Sequence, residues 1–201
     1  MKLIITQANW TGNNSNPYKQ MSKKKHHSNT ITPLFSAKAI EKRIREIGKT
    51  ISDDFASATP QSPLLLIVVL KGAFIFAADL LRTLTIPCTI EFIHASSYGS
   101  EKISSGTVSI KHNLAIKDRD LLLVEDIIDT GLTLQQIAAE LMTMKPASLS
   151  ICTLLDKHEA RKHHIDVRYT GFTVPNTFIV GYGIDFNEQY RELPSLGLLN
   201  S

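Results

Sequence analysis

The sequence predicts an α/β fold, a mostly parallel twisted sheet flanked by helices. Three apolar runs carry that expectation: 64–70, 121–124 and 148–155. Each is strand-length and uncharged, and the first two are wholly apolar, the pattern of strands buried on both faces. After the first two, apolar residues switch at once to helical spacing, so strand and helix alternate as in a parallel sheet. Charged residues close all three runs: Lys71, then Glu125-Asp126, then Asp156-Lys157. In such a sheet these ends share one rim, where open α/β sheets bind ligands.

Residues 1 to about 30 are polar and include Lys23-Lys24-Lys25-His26-His27, which reads as a flexible N-terminal extension. Met21 is an alternative start. Ser36 is placed to cap a helix whose stripe is Ile40, Ile44, Ile47, Ile51 and Phe55. Serine and proline over 57–63 end it. The run 64–70 is the first central strand, and Ala73 to Leu81 the helix after Lys71-Gly72. An alternating strand follows over 89–95, then a polar Gly- and Ser-rich segment over 96–106, long enough to be a functional loop or a simple hairpin. Residues 107–110 read as its second arm.

The stretch Glu125-Asp126-Ile127-Ile128-Asp129-Thr130-Gly131-Leu132-Thr133 organises the chain. It reads as acids closing the 121–124 strand, a hydroxyl-rich turn, then a helix with Leu134, Ile137, Ala138 and Leu141 on one face. A turn that opens a helix offers unpaired N–H groups and the positive end of a dipole, a seat for a phosphate monoester. Glu125 and Asp126 suit cis-diols or a hydrated divalent cation. Taken alone, the stretch fits an ordinary βα turn equally well. Beyond 148–155, a strand is expected over 167–174, and the block 178–191 follows it.

The chain has 201 residues, 43% of them hydrophobic, and a net charge of +3. That supports one domain with a full core and gives no case for nucleic-acid binding. Cys88 and Cys152 lie far apart in apolar runs, as reduced buried thiols do. No run approaches the roughly 20 residues of a membrane span, so no membrane is expected and the cytoplasm is the default. No Gly-x-Gly-x-x-Gly follows the first strand and no P-loop lysine motif is present.

The organising stretch resembles the phosphoribosyl-diphosphate loop of the type I phosphoribosyltransferases, and Glu-Asp-Ile-Ile-Asp-Thr-Gly resembles their hypoxanthine-guanine branch. The resemblance runs from about 36 to 197. It implies that Asp129, Thr130, Gly131, Leu132 and Thr133 hold a 5′-phosphate, with Asp129 also the catalytic base. Glu125 and Asp126 take the ribose hydroxyls and Mg²⁺. Lys71 and Gly72 form the diphosphate loop, with a peptide bond before Lys71 that is often cis in the family, and Arg191 faces the same diphosphate. Ser97 and Tyr98 belong to a lid. Lys157, Phe178 and Ile179 bind the purine, and Asp185 lies beside it and reaches a second Mg²⁺.

The implied reaction is transfer of the 5-phosphoribosyl group from 5-phosphoribosyl 1-diphosphate to a 6-oxopurine, hypoxanthine or guanine, in a homodimer or homotetramer. The resemblance further implies a single domain over 31–201, with a core over about 60–175 and a hood from about 31–59 and 176–201. A regulator on the same fold would be expected to lose Asp129 or Lys157 and to carry a basic DNA-binding segment. Both residues are present, and 23–25 is the only basic cluster.

Overall fold

The computed structural model describes residues 30–94 and 114–200. Five parallel strands form the main sheet: β2 (Leu64–Leu70), β3 (Cys88–His94), β4 (Asp120–Ile128), β5 (Ser148–Asp156) and β6 (Tyr169–Thr173), in the order β3-β2-β4-β5-β6. Helices α1 (Ala37–Asp54) and α2 (Phe74–Thr83) cover one face, and α3 (Leu132–Thr143) the other. Alternation along each strand feeds both cores. Leu122 and Val124 join Ile40, Phe76 and Leu80 on one side, while Leu121 and Leu123 join Leu134, Ile137 and Leu141 on the other. Burying each such side chain contributes about 1.5–3 kcal/mol, so the apolar runs are held in register on both faces.

The order of strands places the site. From β2 the chain steps outward to β3, then crosses back to β4 and continues outward through β5 and β6. The direction of winding reverses between β2 and β4, which makes their C-terminal ends a switch point. Pairing between them runs from Leu65↔Leu121 to Val68↔Val124 and stops. β4 itself continues to Ile128, which corrects the expectation of a strand closing at Glu125. The reason is β5, whose backbone keeps pairing through Glu125↔Thr153, Ile127↔Leu155 and Ile128↔Asp156. The two acids therefore belong to a strand paired on one side and released from β2 on the other.

A second, antiparallel sheet joins the two ends of the described chain: β1 (Thr30–Phe35), β8 (Leu196–Asn200) and β7 (Ile179–Val180), in the order β1-β8-β7. Its register shifts between Pro33 and Phe35, where a proline without an N–H interrupts the ladder. Phe35 stacks on Phe172 of β6 at 4.0 Å, fixing the small sheet to the large one.

α1, grouped above with the hood, lies against the main sheet. Its predicted isoleucine stripe is buried, and Arg43 donates to the carbonyls of Thr170 and Gly171, each at 2.8 Å. Ser36 caps it as expected, its Oγ accepting from Ala39 N–H at 3.3 Å. The strand expected over 167–174 is the shorter β6. Cys88 and Cys152 are free thiols, and burial raises the pKa of both. Among the described residues no helix is long and apolar enough to cross a membrane.

Candidate active site

Glu125 and Asp126 sit half-buried where β2 and β4 part. The Asp126 N–H donates to Glu125 Oε1 at 3.1 Å, and the Ile127 N–H to Asp126 Oδ1 at 2.8 Å. Among the described residues neither carboxylate has a cationic partner, unlike the other rim acids Asp129, Asp185 and Glu188. Burial first, and the charge of Asp126 second, hold the Glu125 carboxyl well above the usual carboxylate range.

This has a consequence for stability. A carboxyl with a raised folded-state pKa binds more protons folded than unfolded. Stability is then greatest below the ordinary Glu value of 4.5 and falls as pH rises through the folded value. Glu125→Gln removes that slope. In EDTA its melting temperature should exceed that of the native protein by a gap that widens from pH 5 to pH 8, with about 2–4 °C for each 1 kcal/mol in a domain of this size. Parallel melting curves across that range would refute the prediction.

The β4–α3 connection is a built seat. Gly131 takes φ +84°, a left-handed conformation that favours glycine, and α3 starts at Leu132, two residues earlier than its apolar face suggests. The Thr130 carbonyl accepts from Lys162 and His163 N–H at 3.0 and 3.1 Å, bracing the turn from outside. The first helix-derived bond is Gln135 N–H to the Gly131 carbonyl at 2.9 Å, so the N–H groups of Leu132, Thr133 and Leu134 have no partner within the helix.

Lys157 stands on the same rim. Its backbone N–H donates to the Ile128 carbonyl at 2.9 Å, and its buried side chain reaches Asp129 Oδ2 at 3.0 Å. Asp129 itself is exposed. A donor-only ammonium and an acceptor-only carboxylate thus lie side by side at an open mouth.

The third component comes from the β2–α2 turn. The Leu70–Lys71 peptide bond is cis, as expected. Gly72 presses on the acids: a Cβ there would run into Asp126 Oδ2. It also supports the C-terminal segment, since a Cβ on Gly183 would run into the Gly72 carbonyl. Arg191 donates to the Gly183 carbonyl at 2.7 Å and pairs with Asp185 at 2.7 Å. Tyr182 donates its hydroxyl to Asp79 of α2, which anchors this segment to the main domain.

The remaining predicted residues are placed less centrally. Phe178 is exposed and meets Phe186 edge-on at 5.2 Å, while Ile179 is buried in β7. Asp185 is engaged by Arg191 and by the Glu188 N–H at 2.8 Å. Among the described residues no three carboxylates, imidazoles or thiols converge as a metal cage. Ser97 and Tyr98 lie outside the described residues.

Glu188 was missed by the sequence reading, yet it bridges Lys71 and Arg191. Phe186, the edge partner of Phe178, was also missed as a site residue. Neither contact leaves a periodic signal in the sequence.

The model of the phosphoribosyl transferase domain matches residues 31–187. The hypoxanthine-guanine phosphoribosyltransferase of Mycobacterium avium is 47% identical over 171 residues, covering 83% of this chain and 84% of that protein. The enzyme of the same name from Bacillus subtilis is 41% identical over 168 residues, covering 83% and 91%. A crystal structure of the hypoxanthine phosphoribosyltransferase of Trypanosoma cruzi superposes with a TM-score of 0.77 at 39% identity, covering 84% of this chain and 96% of that one.

Proposed function

Because this chain belongs to the phosphoribosyltransferase family, in its hypoxanthine-guanine branch, we propose a division of labour among its rim residues. The protein is a purine-salvage glycosyltransferase. It moves the 5-phosphoribosyl group from 5-phosphoribosyl 1-diphosphate to hypoxanthine or guanine, giving IMP or GMP and diphosphate.

The 5′-phosphate sits at the start of α3, on the N–H groups of 131–133 and the hydroxyls of Thr130 and Thr133, where the dipole is positive. Glu125 and Asp126 take the ribose hydroxyls. Lys71 and Arg191 face the diphosphate, and the backbone at Gly72 lines it. Asp129 receives the N7 proton of the purine as N9 attacks. Lys157 donates to the 6-oxo group, Phe178 stacks on the ring and Ile179 offers its backbone. Ser97 and Tyr98 belong to a lid that excludes water.

The donor chemistry fits Mg²⁺. Among the described residues the two adjacent hard carboxylates have no cationic partner and no closed protein cage forms, which suits an ion that keeps waters and shares substrate oxygens. Glu125 and Asp126 would hold it, with Asp185 reaching a second ion through water. When bound it neutralises the departing diphosphate.

The observation that carries this reading is the Lys157–Asp129 pair at 3.0 Å. Together the two groups complement the O6 acceptor and N7 proton of a 6-oxopurine, and a donor-only lysine penalises adenine's 6-amino group. Two free thiols, Cys152 buried and Cys88 half-buried, support a cytoplasmic protein, which we read as a homodimer or homotetramer.

The test is nucleotide formation from 5-phosphoribosyl 1-diphosphate with hypoxanthine, guanine, xanthine and adenine in turn, with magnesium or with EDTA. Turnover of hypoxanthine or guanine, at least about 10²-fold above adenine and lost in EDTA, is expected. Equal turnover of adenine would sink the assignment of Lys157.

A further inference from the structure

Lys71 and Arg191 reach the same carboxylate. Lys71 Nζ lies 3.2 Å from both oxygens of Glu188, and Arg191 lies 3.3 Å from Oε2. The two cations come from segments 120 residues apart in sequence, and Glu188 spans the gap between them.

The turn that presents Glu188 is specialised. Asn187, Glu188 and Tyr190 have φ of +51°, +62° and +75°, values that non-glycine residues seldom adopt. The Glu188 N–H is held by Asp185 Oδ2 at 2.8 Å, and Phe186 and Gln189 exchange backbone bonds at 3.1 Å. A surface glutamate needs none of this. The arrangement aims one carboxylate at two cations while leaving it in solvent, where an incoming anion can displace it.

We infer that Glu188 is an exchange partner for the diphosphate: it holds Lys71 and Arg191 together while the site is empty, and diphosphate must take both cations from it. This inference rests on the reading of Lys71 and Arg191 as diphosphate ligands. Glu188 then sets how tightly diphosphate is held. The two exposed ion pairs lower its affinity, and they re-form as the product leaves. Glu188 is thus a positioning residue that works through the two cations, not on the reacting atoms.

The test is calorimetric titration of inorganic diphosphate with magnesium into the full chain and its variants. Exposed pairs of this kind are individually weak, so Glu188→Gln should bind diphosphate about three- to tenfold tighter. Glu188→Asp keeps the charge but shortens the arm by one methylene, and should also bind tighter than the native protein. Native affinity in Glu188→Asp, with tighter binding in Glu188→Gln, would mean simple through-space repulsion and overturn the exchange. Weaker binding in Glu188→Gln would make Glu188 a scaffold for the cations and overturn it equally.

Lys71→Ala separates the two levels of the reading. A loss of about tenfold or more in that variant upholds the diphosphate site whatever Glu188 does. Unchanged affinity would remove the site itself, and the exchange with it. In steady state the exchange predicts a lower KM for 5-phosphoribosyl 1-diphosphate in Glu188→Gln, with product inhibition by diphosphate strengthened by the same factor.

Discussion

Asp129→Asn should lower kcat by about 10²–10⁴, the usual contribution of a positioned general base. The affinity for 5-phosphoribosyl 1-diphosphate, read by direct titration, should stay within about threefold. That split follows from the architecture. The phosphate seat we propose is the α3 N-terminus with the threonine hydroxyls, which the substitution leaves alone. Asparagine keeps the shape of the side chain but cannot accept the N7 proton. It also leaves the buried Lys157 ammonium without its carboxylate. A rise in KM for the purine is therefore expected beside the loss in kcat, because Lys157 loses the partner that orients it. An equal fall in kcat and in affinity for the phosphoribosyl donor would instead place Asp129 in the phosphate seat alone.

The sequence made the rim legible because its chemistry sits at the ends of strands buried on both faces. In the 64–70 run the first polar residue is Lys71, and in the 121–124 run it is Glu125. A continuous apolar run has one simple reading, and its polar terminus marks the sheet edge. The antiparallel sheet was not legible for the opposite reason. β1 contains Pro33, β8 contains Gly197, β7 is two residues long, and the paired residues of β1 and β8 lie more than 160 positions apart. Nothing in so short a strand names its partner. The stripe of α1 was plain, but a stripe does not say which surface it covers. Glu188 was invisible because left-handed turns at Asn187 and Glu188 leave no compositional mark. These positions bend a local rule beside the site, which is where such departures are expected.

Gly72→Ala tests whether the acids and the diphosphate loop form one unit. The backbone of Gly72 does not need glycine for its conformation, since its φ lies outside the left-handed region. Alanine by itself should then cost little stability. It could even add about 0.4–1 kcal/mol by restricting the unfolded chain. What the methyl group does is occupy the space of the Asp126 carboxylate, coming within 2.5 Å of its Cγ. Either Asp126 swings away from its bond to the Ile127 N–H, or the loop carrying Lys71 shifts. That shift would also disturb Gly183, which packs against the Gly72 carbonyl. Both routes displace, by about 1 Å or more, a residue we assign to the phosphoribosyl donor, a misplacement that costs on the order of 10²-fold in kcat/KM. The protein should therefore melt within a few degrees of native while losing most of its activity. A double-mutant cycle identifies the route. If the methyl group acts through Asp126, then Gly72→Ala should cost almost nothing further in an Asp126→Ala background. Full additivity would mean that the loop itself moves, and that Lys71 rather than Asp126 depends on the glycine.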